Sequence, residues 1–529
     1  MKIFTPATRH GNSTLLLACL FTLSANAQVV GYRGDGLCVT PNAKLPDKLA
    51  VVWQTSLPNW GLGCPIVVKD RVYVVSEPDR DHDFPVLLCL SATDGKVLWQ
   101  REIPHETDKV ARDAWHDHLV ALRNLYRMRF DYSSTTDKEA AAKKLEASGG
   151  ALNDKGQVTW KGDGSNRSDR VDVKLARIFN KGGLYFDVWH LGGLHRIGYG
   201  FPTPVSDGQR IYVATGLHSF ACYDLDGKLV WQARSVGQGS SQAGYGGDDF
   251  CKNARSPLIY KNLLISDVGN LVRAFDKDTG KLLWSDKHTG HEIVSPVIIT
   301  IAGKDYLLTA TVTAYALTDG KKVSVEGWKN HGGTMLVKSD ERDVVFFTGG
   351  GEHGGWENKG QPPCETPPPA AVKFAREGDT LKAKVLWSGI DGQTSGECHT
   401  GLVYLNGKLY HPNGIIMDAA TGKTLAGKIR DRNNRATPAT RHLSWIVGER
   451  IVGVREEKGT GQVEVYDLAG KNTDLLTLTP PVAEGERRDR IFETVGAPSW
   501  GFSYGSPFTV SGNRLYIRSH GELWCLGEK

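Results

Sequence analysis

Eight polar side chains occupy comparable places along this sequence of 529 residues: Arg255, His291, Glu292, His331, Glu397, His399, Arg441 and His442. Each stands a short way upstream of an apolar, strand-like segment. Imidazole together with carboxylate is a donor set for a divalent metal. Imidazole together with guanidinium suits an anionic ligand. The plainer reading is a set of solvated loop residues that hydrogen-bond neighbouring loops. If the segments that follow them are arranged radially, the eight converge on one central funnel.

Other candidates for chemistry are weaker. Gly501-Phe502-Ser503-Tyr504-Gly505 has the spacing of a nucleophile elbow, but that motif needs a helix after the serine and a strand-like segment follows here. The loop Gly349 to Trp356 is rich in glycine without the strand-to-helix setting of a phosphate loop. A metal-dependent hydrolase built on the His/Glu set has no motif behind it. Arg33-Gly34-Asp35 reads as a turn, and Asn166-Arg167-Ser168 is a sequon. Among the nine cysteines, Cys89, Cys222 and Cys525 sit in apolar strand-like contexts and read as small buried residues. Cys364 and Cys398 are our disulfide candidate; no adjacent cysteine pair and no Cys-x-x-Cys-His haem site occurs.

The elements that position these residues repeat. An Asp or Thr, Gly-Lys, two apolar residues and Trp recur, ending at Trp99, Trp231 and Trp284. Weaker copies surround Gly320, Gly378, Gly422 and Gly470, and a truncated one closes the chain at Gly527. The base period is about 40 residues with insertions, and each unit divides into four short strands, which is the signature of a β-propeller blade. The last unit has room for three strands only. Leu49 to Trp53 supplies the missing fourth, so the chain is expected to close on itself as an all-β, eight-bladed propeller of four-stranded antiparallel blades. Trp53, Trp99, Trp231, Trp284 and Trp387 take the same place in their copies. Trp60, Trp115, Trp189, Trp356 and Trp500 fall outside the repeat and are candidates for ligand contact.

Loop lengths separate the two ends of such a ring. The first-to-second-strand turns and the Gly-Lys turns are short, and both project from one end. The long loops, and an insertion over about residues 103–197 read as partly helical, leave from the other, which is where function is expected.

Residues 1–27 read as a secretory signal peptide: Lys2 and Arg9, an apolar run from Leu15, then Ala25-Asn26-Ala27. A lipoprotein reading of Cys19 leaves too little apolar chain before the cut. Residues 28–48 are an N-terminal extension and 49–529 the propeller. No later segment is apolar for long enough to span a bilayer. With 64 Lys+Arg against 59 Asp+Glu, the charge is too balanced to argue for nucleic acid.

The repeated phrase resembles the tryptophan-docking repeat of PQQ-like eight-bladed β-propellers, and the chain is identified as a member of that family. Quinoprotein alcohol dehydrogenases and the BamB-like subunit of the outer-membrane barrel-assembly machinery belong to it. Tyr32-Arg33-Gly34-Asp35-Gly36 is similar to the Arg-Gly opening of secreted members of unassigned role. The resemblance implies a periplasmic or secreted protein and admits two activities. One is a monomeric, non-catalytic scaffold that binds an envelope or extracellular protein or a polysaccharide. The other is an oxidoreductase acting on an alcohol or sugar with PQQ and Ca²⁺. The absent cysteine pair and haem motif, and the lack of an assignable Glu/Asn/Asp calcium set, favour the first.

Overall fold

The computed structural model describes residues 30–33, 36–58, 61, 63–76, 85–103, 139, 143, 150–152, 158–160, 200–216, 218–235, 255–268, 271–287, 295–328, 335–348, 369–389, 402–411, 415–427, 444–457, 460–480, 508–519 and 521–529. They form consecutive four-stranded antiparallel sheets, each a meander from its first to its fourth strand. Sheet A comprises Ile66–Val68, Arg71–Ser76, Val86–Ser91 and Val97–Glu102. Sheet B comprises Val205–Ser206, Arg210–Ala214, Ser219–Asp224 and Leu229–Arg234. Sheet C comprises Leu258–Tyr260, Leu263–Ser266, Leu271–Asp276 and Leu282–Lys287. Sheet D comprises Val297–Ile301, Lys304–Leu308, Ala314–Ala316 and Lys322–Glu326. Sheet E comprises Met335–Val337, Val344–Phe347, Ala370–Glu377 and Thr380–Ser388. Sheet F comprises Val403–Leu405, Lys408–Tyr410, Ile416–Asp418 and Thr424–Ala426. Sheet G comprises Ser444–Val447, Arg450–Glu457, Thr460–Asp467 and Asn472–Leu478. Sheet H comprises Phe508–Ser511, Arg514–Arg518 and Glu522–Gly527, and its fourth strand is Ala50–Ser56 from the other end of the chain. Gly527 is therefore a strand end facing Ala50, where the repeat pattern suggests a turn.

The core lies between sheets. Ile66, Tyr73 and Cys89 of sheet A pack with Ile211, Val213 and Tyr223 of sheet B. Equivalent clusters join B to C, C to D, D to E and E to F. One larger cluster takes in F, G and H, and another joins H to A through Trp53, Val72, Tyr516 and Cys525. A single sheet of this kind cannot bury both faces; stacked face to face, the central strands become apolar on both sides. Val86 to Leu90 are accordingly all buried. This all-β stack is the arrangement of a β-propeller.

The recurrent Trp explains the recurrent glycine and the recurrent cysteine. Trp53, Trp99, Trp231, Trp284 and Trp387 each lie over the Gly-Lys turn of the following sheet. A Cβ on Gly95 would come within 2.5 Å of the Trp53 ring, and one on Gly280 within 2.5 Å of Trp231. Both glycines are also at positive φ, 74° and 72°, so a side chain there is excluded twice over. In four of the five the indole N–H donates to a carbonyl of the same turn: Trp53 to Ala92 (3.1 Å), Trp99 to Leu225 (3.2 Å), Trp231 to Lys277 (2.8 Å) and Trp387 to Ala419 (2.9 Å). Across the sheet each ring faces a small residue. Cys89 is opposite Trp99, Cys222 opposite Trp231, Cys525 opposite Trp53, Ala274 opposite Trp284 and Ala371 opposite Trp387. The register shifts beside each of these pairs, and such bulges turn the outer strand toward its neighbour. Cys89, Cys222 and Cys525 are buried free thiols, and burial raises their pKa to about 11, 12 and 11.

Two features break the repeat. The fourth strands of D and E pair in parallel, Ser324 with Thr380 and Glu326 with Lys382. The N-terminal segment adds a parallel pairing of Val39 with Ile446 and Thr40 with Val447 on the first strand of sheet G. Within the insertion, Glu139 and Lys143 lie on a helical turn and pair at 3.0 Å, and Gly150–Leu152 pairs antiparallel with Val158–Trp160.

Candidate functional site at the loop-rich end

The two ends of the sheets differ in chemistry. At the short-turn end, carboxylates fold the turns locally. Asp276 accepts from Thr279 N (2.9 Å) and Thr279 Oγ1 (2.7 Å), and Asp418 accepts from Thr421 N (2.8 Å) and Thr421 Oγ1 (2.7 Å). These bonds favour the ionised form, with the threonine hydroxyl the largest cause in each, and hold both carboxyls below their ordinary range.

At the opposite end a buried polar belt links the lead-in segments of successive sheets. Cys64 N donates to Thr203 Oγ1 (3.0 Å), Thr203 N to Ser256 Oγ (3.0 Å), and Ser256 N to Ser295 Oγ (2.9 Å). Each residue of the belt precedes a proline, as in Cys64-Pro65, Thr203-Pro204, Ser256-Pro257 and Ser295-Pro296. The proline has no N–H to satisfy, and the residue before it is held extended. That places one N–H and one small hydroxyl at each joint. The recurrent small-residue-plus-Pro was the available sequence signal, and it reads there only as the start of a strand.

Buried guanidinium groups stand beside this belt, one of them bonded within its own sheet and the others across joints. Arg255 pairs with Asp267 at 3.0 Å, both side chains 2 % exposed, and also donates to Asp267 O (3.1 Å). Arg273 of sheet C donates to Ser235 O (2.6 Å) and Val268 O (2.7 Å), and its Nη2 lies 2.9 Å from Nδ1 of His218 in sheet B. His218 closes a turn by donating its N–H to Thr215 O (3.0 Å), at φ 60°. Arg518 of sheet H donates to Val75 O and to Ser76 Oγ (2.6 Å) of sheet A. Arg33 donates to Leu402 O, to Met335 O (3.5 Å) and to Cys38 Sγ (3.2 Å). Burial pushes the Cys64 thiol up to about 12, and pushes the Tyr32 phenol well above its usual range.

Of the eight polar residues that the sequence aligns, Arg255 is within the described residues, buried and bonded to Asp267. His291, Glu292, His331, Glu397, His399, Arg441 and His442 lie outside them. So do Cys364 and Cys398, the serine of the 501–505 motif, and Trp60, Trp115, Trp189, Trp356 and Trp500. The segment after 501–505 is a strand, Phe508–Ser511. Among the described residues no group of three His, Cys, Asp or Glu side chains could hold a metal ion.

The family model described as outer membrane protein assembly factor BamB matches residues 46–124 and 150–334, which take in the strand at 50–56 and sheets A to D. The chain belongs to the PQQ-like β-propeller family. BamB from Moraxella catarrhalis is similar over 61 % of this chain and 81 % of its own, with 14 % identity and a TM-score of 0.38. Quinohemoprotein alcohol dehydrogenase from Comamonas testosteroni is similar over 91 % of this chain and 77 % of its own, with 11 % identity and a TM-score of 0.44. The computationally designed protein Ika8 is similar over 93 % of this chain and 100 % of its own, with 11 % identity and a TM-score of 0.42. No curated protein matches the sequence.

Membership raises the question of PQQ and Ca²⁺. An anionic quinone needs cationic or hydroxyl donors that are not already spent, and Ca²⁺ needs converging oxygen ligands. Among the described residues the groups of that chemistry are already engaged within the protein. The guanidinium groups of Arg33, Arg255, Arg273 and Arg518 are directed into protein acceptors, and Thr203, Ser256 and Ser295 serve the belt.

Proposed function

We propose that the chain is an extracytoplasmic binding or scaffold protein: an eight-bladed propeller, sheets A to H, closed by the docking of strand 50–56. It engages an envelope protein through its loop-rich end. The observation that carries this reading is the contrast between the ends. One is finished with tight turns, bonded within themselves and to the neighbouring sheet by part-exposed groups such as Arg71 to Asp226 (2.9 Å) and Arg514 to Ala92 O (2.8 Å). The other is braced by a buried belt and by arginines that cross the joints, so that long loops stand on a rigid rim. A partner docking on such a platform loses little entropy in ordering it. The family match, whose description is that of an assembly factor, supports a protein as partner. We further propose that residues 1–27 are removed on export, that 28–48 is an extension, that the insertion at about 103–197 flanks the loop-rich end, and that the mature protein is a monomer.

The test is chemical cross-linking of the mature protein to its own envelope fraction, followed by identification of the captured chains. A discrete protein partner, lost when the loop 429–441 is shortened, supports the reading. Capture by purified polysaccharide alone replaces protein with carbohydrate. Addition of PQQ and Ca²⁺ decides the alternative. A bound quinone chromophore, a raised melting temperature and dye-linked oxidation of an alcohol or sugar would make the chain a quinoprotein instead.

A further inference from the structure

The segment from Val30 to Thr40 follows a path that no repeat unit shares. Val30 and Ser206 exchange both backbone hydrogen bonds, at 3.0 and 2.8 Å. Ser206 ends the first strand of sheet B at the short-turn end. Three residues on, Arg33 is bonded to Met335 O and Leu402 O, where the first strands of sheets E and F begin at the loop-rich end. Cys38 to Thr40 then return along the first strand of sheet G toward its short turn. First strands of consecutive sheets touch one another, as in B with C, D with E, F with G and H with A, so they line the axis of the ring. The segment enters beside B, rises to the loop-rich end, turns, and descends along G.

The turn at the top is tightly specified. Gly36 N (3.1 Å) and Cys38 N (3.2 Å) both donate to Arg33 O. Arg33 and Cys38 are at φ 62° and 56°, a left-handed conformation that costs about 1–2 kcal/mol for a residue with a side chain. It persists where the surroundings over-determine it, and the buried Arg33 bonds to two sheets are such surroundings.

We propose that residues 30–33 and 36–40 are a built-in axial plug. They fill the space between the first strands, and the Arg33–Cys38 turn is the floor of a cup that opens only at the loop-rich end. The partner proposed above then binds across that face, and no ligand threads the axis. This rests on the closed ring of the preceding section.

Thiol alkylation of the folded mature protein with N-ethylmaleimide, read by peptide mapping, separates the two ideas. Cys38 lies in the plug, Cys525 lies under the closing strand, and Cys222 is a buried control in sheet B. In the wild type all three are expected to label slowly against the unfolded chain. Arg33→Ala should raise Cys38 labelling by about tenfold or more, the loss of at least one charge-assisted hydrogen bond, with Cys222 and Cys525 unchanged. Removing a nearby cation by itself makes a thiolate scarcer, so a rise reports opening. Arg33→Lys keeps the charge and one donor and should fall between. If Arg33→Ala exposes all three cysteines at once, Arg33→Lys decides the matter. Fast labelling of Cys38 in the wild type, or no rise in the substituted proteins that remain folded, overturns the plug. Fast labelling of Cys525 with Cys38 still protected overturns ring closure instead.

Discussion

The joints between sheets are of two kinds. From H to A, A to B, B to C, C to D and E to F, a tryptophan on one fourth strand covers the turn glycine of the next sheet. From D to E, F to G and G to H no tryptophan among the described residues does so. The residue in the tryptophan's place is Ser324 in sheet D, Ala426 in F and Asp474 in G, and each joint has a substitute. Ser324 pairs with Thr380, stitching D to E through their outer strands. Ala426 leaves room for Ile416, whose Cδ1 approaches the turn at Gly470. The Asp474 carboxylate accepts from Leu49 N (2.9 Å), while Arg450 donates to Pro46 O (2.7 Å) and Asp47 (2.6 Å). Cys38, Leu45 and Leu49 complete the apolar cluster of F, G and H. A large ring on a bare turn is one way to fill a joint; a segment borrowed from elsewhere in the chain is another.

The comparison can be broken from either side. The largest effect is expected from Leu45→Ala with Leu49→Ala. Each truncation of a buried leucine costs about 2–5 kcal/mol, and hydrogen exchange should accelerate in G and H while B and C stay protected. Next comes Trp231→Ala, at about 3–5 kcal/mol, with the reverse pattern: loosening at B and C and none at G and H. If both variants loosen the same sheets, the two kinds of joint are not distinct. Ala426→Trp sharpens the point. A ring restored to the repeat position must displace Ile416, so denaturant unfolding should show a loss of about 1–3 kcal/mol through overpacking, and a gain would mean that the space is free. The smallest effect is acid sensitivity of the turns. Asp276 and Asp418 have depressed pKa values in the folded state, so their contribution is complete above the unfolded carboxyl pKa, about 3.9, and disappears as pH falls through the lower folded values. Asp276→Asn should flatten that acid limb by a few tenths of a kcal/mol, measured as the difference between melting curves at neutral and acid pH.

Much of this was legible because it is local. The Gly-Lys turn, the strand that follows and the tryptophan four places after the glycine report one unit in one stretch of sequence. Cys89, Cys222 and Cys525 read as small apolar residues, and the register supplies the reason, an indole opposite each. The substitutes were not legible because they are not local. Nothing near Val30 announces a partner at Ser206, and Thr380 gives no sign that it will pair in parallel with Ser324. The arginines that cross the joints look like any surface arginine until distant carbonyls are brought to them. Of the aligned polar set, only Arg255 stands on described backbone, and it is spent on Asp267 of its own sheet: alignment detects that a polar residue recurs, not which way it is spent.

The pairing of Ala50–Ser56 with Glu522–Gly527 has a consequence in time. A chain made from its N-terminus presents Trp53 early and its strand partner, Cys525, much later. Until Glu522–Gly527 has been made, that strand waits with its edge unpaired. Contacts of such sequence separation are slow to form, and a waiting apolar edge is open to strangers. The period between the arrival of the first strand and that of the last is therefore when this protein most needs an escort, and a chain cut short by even its final strand leaves that edge unfilled.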